Sequence, residues 1–141
     1  MATQKGGSFL INLENKKIGL VYRYELDDYS FPKGHLEEGE TLLECAIRET
    51  EEETLRKCSP ISEKEVAINK YRTPSGEDCE VYFYLLVDDG PTDKIIAPED
   101  IENLKWVDID KVSDLLSYDN LIDIWEKNKS IVIDFINKQS T

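Results

Sequence analysis

The sequence predicts an α/β protein, an α/β/α sandwich in which helices cover both faces of one mixed sheet. Three observations carry that prediction. Short β-prone runs open the chain, a glutamate-rich segment of helical periodicity interrupts them, and further β-prone runs lead to a long amphipathic segment at the end. With 141 residues, 40% hydrophobic and 33% charged, the chain holds enough apolar material for one core, and residues 1–141 read as a single domain. No repeat, low-complexity tract or linker divides it.

Residues 9–13 (FLINL) and 18–22 (IGLVY) are β-prone, and the ENKK between them has hairpin length, which predicts an antiparallel pair. Residues 24–29 are polar and acidic between aromatics. They lead into Ser30, Phe31, Pro32, Lys33 and Gly34, where proline and glycine predict a loop instead of a continued strand, with backbone open to a phosphate or metal. Residues 41–54 predict a helix: Thr41 and Glu44 match a capping box, and Leu43, Ala46, Ile47, Thr50 and Thr54 share one arc. Glu49, Glu52 and Glu53 fall on the adjoining arc, at the edge of the buried side. Ser59 and Pro60 stop this segment. Residues 65–71 and 80–87 read as strands flanking a TPSGED turn, with Tyr82 and Tyr84 on one face and Val81, Phe83 and Leu85 on the other. Residues 104–109 give another strand and 110–116 a short helix. Residues 117–120 then open a longer helix, along which Leu121, Ile124, Trp125, Val132, Phe135 and Ile136 recur at helical spacing.

A formal net charge of −13 argues against a nucleic-acid polymer or an anionic membrane as partner, because both need clustered Lys and Arg. An anionic substrate would instead depend on a bound metal and a few local cations. Cys45, Cys58 and Cys79 form no metal-ligand spacing and, with a single histidine in the chain, supply no zinc site, so they read as free thiols. The N-terminus lacks a signal-peptide apolar stretch and no run is long enough to span a bilayer; a cytoplasmic protein is the expectation.

Glu49, Glu52 and Glu53 stand three and four residues apart, so on a helix they project from one face within reach of a single divalent cation. Without one, each like-charged pair costs roughly 0.2–0.5 kcal/mol on an exposed helix. Hard oxygen donors favour Mg2+, with Mn2+ as substitute, and magnesium usually completes its shell with water and substrate phosphate oxygens. Bound there, the ion could orient a diphosphate and lower the pKa of a coordinated water, with a neighbouring carboxylate taking the proton.

The pattern is wider than this trio. From Gly34 the chain runs GHLEEGETLLECAIRETEEE, placing Gly34, Glu40, Arg48, Glu49, Glu52 and Glu53 at fixed distances behind Phe31, Pro32 and Lys33. This resembles the Nudix box, G-x5-E-x7-R-E-U-x-E-E-x-G-U, where U is a bulky aliphatic. A hairpin before the box and Trp106-Val107 near the end extend the likeness over nearly the whole chain. The resemblance implies a Nudix-like α/β/α sandwich with a catalytic loop–helix. It makes Glu49, Glu52 and Glu53 metal ligands and catalytic groups, and the Lys33 carbonyl a further ligand. Arg48 and Glu40 would orient those carboxylates, and Gly34 is the box glycine. In some members an acid shortly before the late tryptophan joins the metal or serves as base; here the candidates are Asp100 and Glu99.

The chain departs from the box at Thr50, Leu55 and Arg56. Leu55 replaces a glycine whose left-handed conformation a side chain disfavours by roughly 1 kcal/mol, so the helix is expected to run on a turn toward Cys58 or to end differently. His35 reads as a structural or exposed loop residue that could also steer a phosphate. The FPKGH wording and the aromatic strand are similar to the diadenosine-polyphosphate and diphosphoinositol-phosphate hydrolase branches. Tyr82 and Tyr84 are therefore candidates to stack on a base as well as core residues, and Arg23 and Lys33 are candidate phosphate contacts as well as ion-pair partners. The implied activity is Mg-dependent cleavage of the diphosphate linkage of a nucleoside diphosphate derivative. Dinucleoside polyphosphates lead, ahead of nucleoside triphosphates and nucleotide sugars. The alternative is a nucleotide-sensing module without hydrolysis. The expected partner is a small nucleotide or polyphosphate, and a homodimer is compatible with the resemblance.

Overall fold

A computed structural model describes residues 2–93 and 103–139. Among them the strands are β1 (Thr3–Asn12), β2 (Lys17–Arg23), β3 (Asp28–Ser30), β4 (Lys33–His35), β5 (Arg56–Pro60), β6 (Ala67–Arg72), β7 (Asp78–Pro91) and β8 (Leu104–Asp108). The helices are α1 (Leu42–Thr54), α2 (Val112–Leu115) and α3 (Asp119–Gln139), with a 3-10 turn at Ile109–Lys111. One sheet runs in the order β3-β2-β1-β7-β5, with β8 on β2, β4 on β1 and β6 on β7. The β1–β7 pair is parallel, from Thr3 opposite Cys79 to Ile11 opposite Val87, and the other pairs are antiparallel. The predicted hairpin is present, with Leu10 opposite Gly19 and Asn12 opposite Lys17.

Strand alternation along β1 and β7 separates two cores. Phe9, Val81 and Phe83 face α3; Phe9 stacks on Phe83 at 5.1 Å and meets the Trp125 ring edge-on at 5.6 Å. Leu10, Tyr84 and Leu86 face α1, where Ala46 closes the cluster. Helices thus cover both faces, as the sequence predicts. At Gly6 a Cβ would lie 2.7 Å from the Ala46 amide nitrogen and the Leu42 carbonyl oxygen, so a bare backbone is what lets α1 lie this close to β1. Two residues further along, the buried hydroxyls of Ser8 and Thr50 share a hydrogen bond of 2.7 Å. That bond explains why a threonine is tolerated where the box has an aliphatic, since a buried hydroxyl needs a partner.

The structure departs from three local expectations. Helix α1 ends at Thr54 without the extra turn: Leu55 itself takes the left-handed conformation (φ 63°), its N–H donating to the Glu51 carbonyl at 2.8 Å, and β5 begins at Arg56. The predicted loop at residues 30–34 carries strand β4, because after Pro32 the backbone pairs with β1, Gly6 opposite Gly34. On α1 the fully buried residues include Cys45, while Leu43 and Ile47 are only partly buried, so the inward arc sits slightly off the predicted one.

Candidate active site

The N-terminus of α1 is fixed before any chemistry is considered. Thr41 accepts from the Glu44 N–H at 3.1 Å while the Glu44 carboxylate accepts from the Thr41 N–H at 2.8 Å, a complete capping box. One turn on, Arg48 gathers the loop and the helix. Its Nε and Nη2 donate to the two Glu40 oxygens at 2.8 and 2.9 Å, and Nη2 also donates to the His35 carbonyl at 3.0 Å. Its Nη1 donates to Glu49 at 2.8 Å and to Glu52 at 3.2 Å. The forked bond to Arg48, helped by the Glu37 N–H, holds the Glu40 carboxyl at about 2, and the same bonds raise the Arg48 guanidinium above its ordinary value. Arg48 thus ties Glu40 in the loop before α1 to Glu49 and Glu52 on the helix.

Strand β4 supplies the opposite wall. A Cβ at Gly34 would fall 2.0 Å from the Glu49 carboxyl carbon, so glycine is what lets that carboxylate rest on the strand. Glu53 Oε1 accepts from the Lys33 N–H at 3.0 Å. Burial pushes the Glu53 carboxyl up to about 7, with the Glu49 charge adding to the rise and the Lys33 N–H opposing it. Glu49, Glu52 and Glu53 share one side of α1 but do not meet at a point. Arg48 draws in Glu49 and Glu52, β4 takes Glu53, and among the described residues no three acidic, histidine or cysteine side chains converge as a ready cation cage. The donor chemistry nevertheless fits a hard dication: all-oxygen donors on neighbouring turns, one a partly buried carboxylate that is costly to ionise, and one, Glu52, half-exposed and paired with Arg48.

Lys33 joins this edge to a cavity of about 580 Å³ on the α3 face. Its N–H lies on Glu53, while its side chain lines the cavity with Lys5, Arg23, Tyr71, Arg72 and Tyr118. Burial lowers the Lys33 ammonium, and the charge of Lys5 lowers it further. Arg23 is forked onto Asp28 at 2.7 and 2.6 Å, and the Tyr118 hydroxyl donates to the same carboxylate. Ser117 holds this arrangement by accepting from the Tyr29 N–H at 2.9 Å, which ties the segment before α3 to β3.

The sequence-predicted residues thus divide. Glu40, Arg48, Glu49, Glu52, Glu53, Lys33 and Gly34 come together, and Arg23 lies on the cavity that Lys33 enters. Tyr82 and Tyr84 do not join them. Both lie on the α1 face, Tyr84 buried in that core and Tyr82 partly buried against it, and neither lines the cavity that Lys33 enters. His35 offers its carbonyl to Arg48 while its residue stays exposed. Asp100 and Glu99 lie outside the described residues. Lys5, Tyr71, Arg72 and Tyr118 were not anticipated. A signal existed for two of them: Lys5 has the parity of Phe9 on β1, and Tyr71 that of Ala67 on β6, both pointing toward α3.

The NUDIX domain family model matches residues 5–132. An 8-oxo-(d)GTP phosphatase from Mycolicibacterium smegmatis is 29% identical over 103 residues, covering 72% of this chain but 30% of that protein, so the chain spans under a third of its length. A NUDIX hydrolase from Nitrosomonas europaea superposes with a TM-score of 0.74 at 19% identity, covering 92% of this chain and 90% of that one. A C. elegans Ap4A hydrolase binary complex also gives 0.74, at 21% identity over 94% and 99% of the two chains. At such identities the two structures speak for the fold alone.

Proposed function

The chain belongs to the NUDIX domain family, and on that premise we propose that it is a magnesium-dependent pyrophosphohydrolase cleaving the diphosphate linkage of a nucleoside diphosphate derivative. The observation that carries this reading is Glu53: a partly buried carboxylate beside Glu49, fixed by the N–H of Lys33, which itself lines a cavity with a cationic lining. Glu49, Glu52 and Glu53 would hold the metal, with the Lys33 carbonyl as a further donor. A magnesium ion there supplies charge neutralisation to the diphosphate and acidity to a bound water. The protein's own groups do the positioning. Arg48 restrains Glu49 and Glu52 through the bonds that anchor it to Glu40, and β4 fixes Glu53. A nucleotide substrate accords with the names of the similar proteins, an 8-oxo-(d)GTP phosphatase and an Ap4A hydrolase.

Nucleotide diphosphate derivatives incubated with Mg2+ test the reading. Hydrolysis should require the metal, with Mn2+ substituting, and Glu53→Gln should lower kcat by about 100-fold or more, the range expected when a catalytic carboxylate is removed. Nucleotide binding without turnover on any substrate would replace the hydrolase by a sensor, and turnover unaffected by Glu53→Gln would refute the site.

A further inference from the structure

We propose that Asp28 is a positioning residue: its buried carboxylate clamps Arg23 of β2 to Tyr118 ahead of α3, and this clamp sets the substrate affinity of the α3-face cavity. The inference rests on the hydrolase reading for what enters the cavity, and it leaves the cleavage step to the α1 carboxylates.

Arg23 and Asp28 stand opposite each other in the β2–β3 pair, so the hairpin alone brings them within reach. The Asp28 side chain is only 6% exposed, and a carboxylate buried to that degree is costly unless hydrogen bonds replace its water. Arg23 supplies two, from Nε at 2.7 Å and from Nη2 at 2.6 Å. This fork holds the Asp28 carboxyl below the usual carboxylate range, so both oxygens accept. The third bond comes from outside the hairpin. Tyr118, 90 residues away in sequence, donates its hydroxyl to Asp28 and accepts from Arg23 Nη2 at 3.2 Å, which closes a triangle. Ser117 adds a main-chain pair beside it, its Oγ accepting from the Tyr29 N–H at 2.9 Å and its N–H donating to the Tyr29 carbonyl at 3.3 Å.

The clamp joins two walls of the cavity. Arg23, Ser30 and Lys33 line it from the sheet, and Tyr118, Asn120 and Leu121 line it from the start of α3. The body of α3 does not depend on the clamp, because Leu121, Ile124 and Trp125 are held in the core. The Tyr118 ring does: it is 42% exposed and belongs to neither core cluster, so its hydroxyl ties it to the sheet wall. On the sheet side the same carboxylate fixes the plane of the Arg23 guanidinium. A carboxylate in this place has two opposed effects on an anionic substrate. As a charge it repels, so its removal alone would tighten binding; as a clamp it holds two walls in register, so its removal loosens binding. Three bonds to one buried group, one of them from the other wall, put the second effect first.

The test measures kcat and KM on the nucleotide derivative that the wild type hydrolyses fastest. Asp28→Asn offers one acceptor oxygen where the clamp needs two, and it should raise KM about tenfold, the equivalent of one charge-assisted hydrogen bond, with the loss falling on KM and not on kcat. Tyr118→Phe keeps the ring and every charge and should raise KM about fivefold. The double variant should be no worse than Asp28→Asn alone, because both act through one clamp. Asp28→Ser takes the place of Asp28→Asn should the latter fail to fold. A lower KM in Asp28→Asn would make the carboxylate a mere counter-charge, and additive losses would put the Tyr118 hydroxyl on the substrate itself. An unmoved KM with a lower denaturant midpoint would leave a structural salt bridge. Each of these overturns the proposal. If the wild type hydrolyses no nucleotide derivative, the hydrolase reading fails by itself, and calorimetric titration with ATP reads the same variants in Kd. Weakening in the same order upholds the clamp, and equal binding, or no binding by the wild type, overturns it.

Discussion

At Glu53 the proposed metal-binding role runs against what folding favours, and pH exposes the conflict. Burial raises its carboxyl from 4.5 to about 7, so in the absence of metal the folded state prefers it protonated. A group whose folded pKa lies above its unfolded value contributes stability in full below about pH 4.5 and loses it as pH rises to about 7. Each pH unit between the two values corresponds to about 1.4 kcal/mol, and since part of the side chain still reaches solvent, a loss on the order of 2 kcal/mol is expected. In chelator-treated protein, urea unfolding should show Glu53→Gln gaining on wild type by about that amount across this interval and holding the gain above it. Parallel pH profiles would mean that the carboxylate is already compensated within the fold. The spacing of Glu49, Glu52 and Glu53 was legible from sequence because three and four residues on a helix define a face. Their division between Arg48 and β4 was not, since it depends on which neighbour reaches each oxygen first.

Helix α1 shows the same contrast at the scale of an element. Its start was readable because a capping box is local, Thr41 and Glu44 satisfying each other's backbone. Its end was not, because a left-handed leucine is held from outside the helix: the Leu55 carbonyl accepts from the Thr92 N–H at 2.9 Å, and Arg56 is forked onto Asp88 of β7. Strand β4 was hidden for a related reason, Pro32 and Gly34 reading as a loop until β1 supplied hydrogen-bonding partners. At Leu55 the backbone already has the conformation a glycine would choose, and the side chain belongs to neither core cluster. Leu55→Gly should therefore stabilise the protein by roughly 0.5–1 kcal/mol, read as a higher denaturant midpoint at unchanged slope, with kcat and KM preserved. A lower midpoint would show that the leucine side chain is itself holding the α1–β5 corner.

Across the whole molecule, the two faces of one sheet differ: the α1 face carries the carboxylates, the α3 face the cationic cavity, and Lys33 of β4 both bonds Glu53 through its N–H and lines the cavity. The overall fold could be read because strand and helix periodicities survive in the chain, whereas the cavity could not, because it is assembled from β1, β2, β3, β4, β6 and the start of α3, segments far apart in sequence. A net charge of −13 lies over this arrangement, and its self-repulsion weakens the folded state in a way that any salt relieves. The magnesium site proposed on α1 would add a second effect that ordinary salt cannot mimic, since a ligand bound only by the folded state stabilises in proportion to the logarithm of its concentration over Kd. Thermal unfolding should separate the two. Sodium chloride should raise Tm by similar amounts in wild type and Glu53→Gln, while magnesium at matched ionic strength should raise wild type by a further few degrees and the variant by much less. Equal responses of both proteins to magnesium would make its effect diffuse screening of an acidic surface and would take the cation away from α1.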